Sequence, residues 1–116
     1  MKKIGLLLIM LASLVSVQAD SFWFTDLENQ NIDVNNVESY FSQWVPTDDG
    51  YSYVKTSDYV DNIGLRHIDY KQYYNGKEVE GCLVMVHAKN NIVYCVNGGA
   101  MYNGSKIVSL TGLWQH

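Results

Sequence analysis

The sequence predicts an α+β domain, in which an antiparallel β-meander of three to four strands carries one helix packed on one face. Within residues 64–98, three runs that alternate apolar and polar residues are separated by two Asn-containing turns. An apolar stripe at helical spacing precedes these runs, and Pro46 ends the stripe. A helix followed by a meander is the simplest arrangement that buries both apolar faces.

The first 19 residues have the pattern of a secretory signal peptide. Lys2 and Lys3 form a positively charged start, an apolar run of about 12 residues follows, and Val17 and Ala19 are the small residues expected before a cleavage site. A membrane-spanning helix needs about 20 apolar residues, so a permanent anchor is disfavoured. We therefore expect cleavage after Ala19 and a secreted or periplasmic product that has no membrane attachment after cleavage.

The remaining chain is acidic and short. Without Lys2 and Lys3, it has six basic against twelve acidic residues, which disfavours nucleic acid and anionic membrane surfaces as partners. Its length allows one modest core. The predicted organisation is a signal peptide at 1–19, an N-terminal arm at 20–32, a folded domain at 33–98, and a C-terminal tail or truncated continuation at 99–116.

A helix is expected from about residue 33 to residue 44, with Asp33 or Asn35 as its N-cap. The apolar stripe consists of Val34, Val37, Tyr40, Phe41 and Trp44. A turn at residues 48–50 follows Pro46. Residues 51–59 are ambiguous between a short strand and a polar loop, and the loop interpretation is stronger for residues 56–62.

The first hairpin of the meander turns at Asn75-Gly76, a pair that favours the tight type I′ turn. In an unbroken register, the numbers of paired residues add up to 151. This register places Gly81 opposite Tyr70, where a missing side chain leaves room for the tyrosine ring. The same register predicts a cross-strand ion pair between Lys71 and Glu80. It also predicts a helix-facing surface made by Ile68, Tyr70, Leu83 and Met85.

The second hairpin turns at Asn90-Asn91, which places Cys95 opposite Val86. Cys82 is then four positions further along the same strand, about 13 Å away. Bridgeable Cα atoms lie within about 7 Å of each other. Although a secreted chain permits disulfides, we expect two buried thiols with no disulfide between them.

Residues at fixed spacings run through this stretch, from Gly64, His67 and Gln72 in the first run to His87, Asn97 and Gly98 in the later ones. With this pattern the sequence resembles the fungalysin/thermolysin propeptide (FTP) domain. The resemblance covers about 35 residues, and Asn90-Asn91 replaces the acidic-Gly turn that is usual in that family. It implies a cystatin/PepSY-like fold and a scaffold role for the matching residues. These are Gly64, His67, Tyr70, Gln72, Gly76, Val79, Gly81, His87, Asn97 and Gly98.

The resemblance also implies a function. FTP-type modules assist the folding of, or inhibit, a thermolysin-like zinc metallopeptidase, which would be the expected partner. In that family a second propeptide module and the peptidase normally follow, whereas this sequence ends at His116. The expectation is therefore a module that acts on a separate peptidase chain, or a fragment of a longer protein.

No catalytic, cofactor or metal site is predicted. The His-Glu-x-x-His motif of zinc peptidases is absent from the sequence. The unbroken register puts His67 opposite Val84 and on the other sheet face from His87, so the two histidines should not meet. His67 and Cys82 would share a face, but apolar neighbours suggest a buried, unactivated thiol. We therefore expect a protein that is not an enzyme.

A second hypothesis is a stand-alone secreted domain that binds a protein or peptide, for example along an exposed sheet edge. Tyrosine combines an apolar ring with a polar tip and is favoured at interfaces. A possible partner surface is formed by Tyr73, Tyr74 and Tyr94. The alternative role for these tyrosines is packing of a small one-sided sheet.

Overall fold

The computed structural model describes residues 19–102, which form a five-stranded antiparallel sheet with helical segments on one face. The strand order in the sheet is β1-β5-β4-β3-β2. The strands are β1 (Asp20–Phe24), β2 (Tyr51–Val60), β3 (Leu65–Tyr74), β4 (Lys77–Lys89) and β5 (Ile92–Ala100). The antiparallel meander and a helical segment on one face are as predicted, but the sheet has five strands rather than three or four. The cystatin/PepSY-like assignment stays a prediction.

Two 3-10 helices, Leu27–Gln30 and Val34–Gln43, connect β1 to β2. The second lies at the predicted position, and Asp33 is its N-cap, because the Asp33 carboxylate accepts a hydrogen bond from the Asn35 amide at 2.9 Å. With three residues per turn, the spacing of Val34 and Val37 keeps both side chains on the buried face.

The core lies between this helix and one face of the sheet. Phe41 packs edge-on against Tyr70, with ring centroids 4.9 Å apart. The buried sheet positions that contribute to this cluster are Phe22, Ile68, Tyr70, Val84, Val86, Ala88, Val93, Val96 and Ala100. The helix-facing prediction was therefore right for Ile68 and Tyr70 and wrong for Leu83 and Met85, which alternate with Val84 and Val86 and lie on the opposite, open face of the sheet.

The predicted N-terminal arm contains an edge strand. β1 pairs with β5 in the register Phe22↔Gly98 and Trp23↔Asn97. Phe22 is buried, whereas 69% of Trp23 is exposed. The aromatic run showed no usable periodicity in the sequence, but in the sheet its alternate side chains lie on opposite faces.

The ambiguous segment after Gly50 is also a strand. β2 continues to Val60 as the other edge of the sheet, with a register shift between Lys55 and Ser57. Residues 57–60 are therefore paired with β3 rather than forming the predicted loop, and Thr56 lies at the register shift. The polar composition that suggested a loop reflects an edge strand that is largely exposed.

The β3–β4 register is the main correction to the sequence prediction. Near the Asn75-Gly76 turn, Tyr73 pairs with Glu78 as predicted, but Lys71 then pairs with Leu83 and Tyr70 with Val84. β4 therefore gains three residues relative to an unbroken hairpin. Because three is odd, every β4 side chain beyond this irregularity lies on the face opposite to the one predicted.

The predicted pairs near this irregularity change accordingly. Gly81 does not lie opposite Tyr70. Its φ is +81°, and a Cβ placed on it would meet nothing within 4 Å, so glycine suits this position because of its backbone conformation and not because it leaves space for a ring. Lys71 forms its ion pair with Glu78 at 3.3 Å rather than with Glu80.

In the β4–β5 hairpin, a smaller irregularity places Cys95 opposite His87 instead of Val86. Neither Cys82 nor Cys95 takes part in a disulfide, and both are buried, as predicted. The prediction that Cys82 shares a face with His67 is wrong, because Cys82 packs in a second apolar cluster with Tyr51 and Val79.

The predicted signal peptide falls almost entirely on residues 1–18, and most of the C-terminal tail falls on residues 103–116, both outside the described residues. Asp20 is the first residue of β1. Among residues 19–102, no helix is long and apolar enough to cross a membrane.

Candidate functional site: a histidine pair on the open sheet face

The β2–β3 connection is organised by Asp61. One carboxylate oxygen, Oδ1, accepts hydrogen bonds from the backbone amides of Ile63 (3.0 Å) and Leu65 (2.9 Å). Gly64 completes the turn with a φ of +88°. These bonds fix the carboxylate so that its second oxygen, Oδ2, faces β3.

His67 is hydrogen-bonded to this second oxygen and lies directly opposite His87 in the β3–β4 pairing. The His67 Nε2 atom is 2.7 Å from Asp61 Oδ2, and its Nδ1 atom is 2.7 Å from His87 Nδ1. The prediction that the two histidines lie on opposite faces is wrong, because the odd-numbered shift in β4 turns His87 towards His67.

Asn97 of β5 completes the chain of contacts. Its Oδ1 atom is 2.6 Å from His87 Nε2. A hydrogen-bonded chain thus runs from Asp61 through His67 and His87 to Asn97, joining the β2–β3 turn to β3, β4 and β5. We call these four residues the histidine chain. Sequence reasoning singled out three of them separately, but it missed Asp61 and the fact that they meet.

The main electrostatic feature of the histidine chain is the lowered pKa of Asp61. The hydrogen bond from His67 is the main cause that lowers the pKa of the Asp61 carboxyl below its ordinary value, and the backbone amide of Leu65 adds to it. Asp61 is therefore ionised at neutral pH, and its negative charge lies at hydrogen-bonding distance from one imidazole.

Aromatic rings flank the pair on both sides. The Tyr59 ring lies 5.1 Å from the His67 ring, and the Tyr94 ring lies 6.2 Å from the His87 ring, measured between centroids. Burial raises the pKa of the Tyr94 hydroxyl, with smaller effects from Cys95 and Asp61. Tyr94 is thus a neutral neighbour of the chain at physiological pH.

The donor set does not fit a metal ion. Zinc binds imidazole nitrogen at about 2.0–2.1 Å with tetrahedral geometry, which needs nitrogen atoms well over 3 Å apart. The two Nδ1 atoms are closer than that and lie at hydrogen-bonding distance. Residues 19–102 contain no group of three or more His, Cys, Asp or Glu side chains that could hold a metal ion.

A second polar feature lies within the core at Gln72, which is fully buried. Its Nε2 donates to the Met101 carbonyl (2.7 Å) and to the Tyr53 hydroxyl (3.1 Å), and its Oε1 accepts from the Met101 amide (2.8 Å). Gln72 has no paired residue on β4, because the β3–β4 pairing is interrupted between Lys71 and Tyr73. Its side chain instead binds the Met101 backbone as a neighbouring strand would.

Tyr53 extends this contact to the end of the helical segment. Its hydroxyl donates to the Pro46 carbonyl at 2.6 Å. Burial is the main cause that raises the pKa of Tyr53 well above its ordinary value, so the hydroxyl stays a donor over the physiological range.

The other residues singled out from the sequence hold the backbone or fill the core. Asn75 and Gly76 have positive φ, as a type I′ turn requires. Tyr70 and Val79 are buried. Gly98 has a φ of +142°, and a Cβ there would collide with the Leu83 carbonyl oxygen.

The three tyrosines predicted as a possible partner surface do not lie together. Tyr74 packs against Tyr51, with ring centroids 4.9 Å apart, and Tyr73 is its neighbour at the Asn75-Gly76 end of the sheet. Tyr94 lies near His87, towards the other end. Six positions separate Tyr73 from His67 along β3, which is about 20 Å. Whether any of them binds a partner stays a prediction.

The open face also has a groove beside β1, with a volume of about 600 Å³. Trp23, Leu83 and Met85 form its apolar part, and Asn97 contributes a polar side chain at its lining. It therefore adjoins one end of the histidine chain. No sequence pattern indicated this groove, because it depends on β1 pairing with β5.

The comparison with protein families matches residues 51–100 to the family described as Fungalysin/Thermolysin Propeptide Motif. The resemblance seen in the sequence is thereby confirmed, and the match spans β2 to β5. A search of curated proteins found no significant match. All ten scaffold residues named from the sequence lie within the matched region.

Proposed function

Because residues 51–100 carry the fungalysin/thermolysin propeptide motif, we propose that this chain is a secreted, non-catalytic propeptide-type module that assists the folding of, or inhibits, a thermolysin-like zinc metallopeptidase. The family match is the observation that carries the proposal. Such a module works by contact, because a folded surface that binds the native peptidase stabilises it relative to its unfolded chain.

The way in which the motif residues are used supports a binding role. Gln72, Gly81 and Gly98 hold the backbone, and His67 and His87 bond to each other. Chemistry on a substrate would need reactive groups in a concave site. These residues instead keep a sheet in shape, which leaves recognition to the exposed surface around them.

The β2 edge is the surface best suited to such a partner. As an edge strand it has backbone groups available for pairing with another chain. Around its end lie three large apolar side chains with exposed fractions of 55%, 64% and 79%, namely Tyr59, Val60 and Ile63. Exposed apolar residues grouped at a strand edge are typical of an interaction site.

The test is the refolding yield of a denatured thermolysin-like zinc metallopeptidase at micromolar concentrations of the module. We expect the native protein to raise the yield or to inhibit the folded peptidase. The double variant Val60→Lys, Ile63→Lys should lose this effect, whereas Trp23→Ser at the opposite edge should retain it. No change in either activity or yield with the native protein would contradict the proposal.

A second candidate function is peptide binding without a peptidase partner, and the groove beside Trp23 favours it. A peptide lying in this groove, across the open face of β1, β5 and β4, would contact Trp23, Leu83 and Met85. A peptide array probed with the native protein and with Trp23→Ser separates the candidates. Binding that requires Trp23, in a protein without effect on peptidase refolding, would support this second function.

A further inference from the structure

The inference concerns the number of protons that the histidine chain holds, which its two outer contacts restrict. The Asp61 carboxylate can only accept, so His67 Nε2 must carry a hydrogen. The atom of Asn97 that faces His87 is Oδ1, also an acceptor, so His87 Nε2 must carry a hydrogen too. The number of hydrogens on the two Nδ1 atoms, which face each other, then determines the charge of the pair.

Those two Nδ1 atoms are 2.7 Å apart, a distance that needs one hydrogen between them. With no hydrogen, two lone pairs face each other. With two hydrogens, N–H groups and two positive charges face each other. A single shared proton satisfies all three contacts, and the pair then has one positive charge beside the negative charge of Asp61.

The neutral pair is possible only after a rearrangement. If the shared proton remains but His87 Nε2 loses its hydrogen, that nitrogen becomes an acceptor, and the Asn97 amide must turn over to donate from Nδ2. Loss of a proton is thus accommodated by one side-chain rotation. Gain of a further proton has no such remedy, because neither Nδ1 atom has another acceptor at hydrogen-bonding distance along the chain.

We propose that the histidine chain is an acid-sensitive latch, in which His67 and His87 join β3 to β4 through one shared proton and separate when the pair takes up a second. Histidine is the side chain whose charge ordinarily changes between pH 5 and 8. Other charged or titratable groups adjoin the pair from the β2 strand, the β2–β3 turn and the same sheet face. They are Tyr59, Asp61, Asp69, Lys89, Tyr94 and Cys95.

The neighbours whose pKa is shifted do not replace the histidines as the cause of an effect near neutrality. Asp61 remains ionised there because its pKa is lowered. Tyr94 and Cys95 remain protonated, because burial raises the pKa of both groups. The folded pair holds one shared proton, whereas a second proton is bound more readily by the unfolded chain, where the rings are apart. Two unfolded imidazoles together bind more than one proton only below about pH 6.5, so acidification lowers the free energy of unfolding below that pH.

The experiment measures urea unfolding of the purified protein from about pH 6.5 to pH 5, with a chelator present. We expect the unfolding equilibrium constant to rise with acidification, approaching about tenfold per pH unit where one extra proton is bound on unfolding. His87→Asn keeps a polar side chain opposite His67 but removes the second imidazole, and it should lose this rise. His116→Gln changes the remaining histidine and should behave like the native protein.

A flat stability profile in the native protein, or an equal slope in His87→Asn, would overturn the proposal. If His87→Asn does not fold, nitrogen NMR of the native imidazoles decides instead. A proton coupled to both Nδ1 nitrogens near pH 7, lost towards pH 5, supports the latch, and two uncoupled rings contradict it. The measurement needs no peptidase, so its result is independent of the proposed function.

Discussion

His67 lies directly opposite His87 in the sheet, three residues further along β4 than Val84, which an unbroken hairpin would place there. The shift arises between the paired residues Lys71 and Tyr73, where β4 has additional residues that include Gly81. One irregularity in the strand therefore decides which face His87 occupies. It thereby brings His87 to His67, which lies 20 residues earlier in the sequence.

The first prediction concerns the backbone at Gly81, which lies within this irregularity. At a φ of +81°, alanine is strained but meets no atom within 4 Å, so Gly81→Ala should lower the free energy of unfolding by about 1–2 kcal/mol. Gly98→Ala should cost clearly more, because its Cβ collides with the Leu83 carbonyl in addition to the strained φ of +142°. Urea denaturation at pH 7 measures both, and equal losses would contradict this division of causes.

The elements that the sequence predicted well are those set by local chemistry. Asp33 caps the helix, and Asn75-Gly76 turns the hairpin, because each depends on its own side chain or backbone preference. The histidine chain could not be predicted in this way. Its geometry depends on counting residues across an irregular strand, and a one-residue error in parity moves a side chain to the other face.

Gln72 illustrates the same limit in another form. The alternation of side chains along β3 puts Gln72 on the same face as Tyr70, and that face is buried. Why a polar residue occupies that position follows only from the Met101 backbone that it binds. A residue 29 positions away supplies the partner, and no local pattern in the sequence indicates such a contact.

The second prediction concerns this buried amide. Gln72→Leu fills a similar space but leaves the Met101 amide and carbonyl without their partner in the core, so we expect a loss of roughly 3 kcal/mol in the free energy of unfolding. The same substitution at the exposed Gln43 is the control and should change stability by less than about 0.5 kcal/mol. Similar values for the two variants would show that the amide bonds contribute little.

The third prediction concerns acid stability below the range of the histidines. Arg66 binds Asp58 through two hydrogen bonds, of 2.8 and 2.9 Å, and these lower the pKa of Asp58 to about 2. Because the folded pKa lies below the unfolded value of 3.8, the stabilisation is present above about pH 4 and is lost as the pH falls towards 2.

Asp58→Asn should therefore lower stability by about 1 kcal/mol at neutral pH and by progressively less towards pH 2. Asp48→Asn makes the same charge change at an exposed turn position and serves as the control. The measurement is thermal unfolding at several pH values from 2 to 7. A difference between Asp58→Asn and the native protein that stays constant over this range would contradict the assignment to Arg66.

The fourth prediction uses the two cysteines to test whether the chain holds an activated nucleophile. Cys82 and Cys95 are buried, and burial raises the pKa of the Cys95 thiol, so little reactive thiolate is present at neutral pH. A disulfide reagent should modify both thiols at least about 100-fold more slowly in the native protein than in urea, because reaction requires local opening of the sheet.

Ser42→Cys, on the exposed side of the helix, supplies a thiol that should react at once. Rapid modification of Cys95 in the native protein would contradict this prediction. It would support the hypothesis of a cysteine-dependent enzyme, since Cys95 lies directly opposite His87.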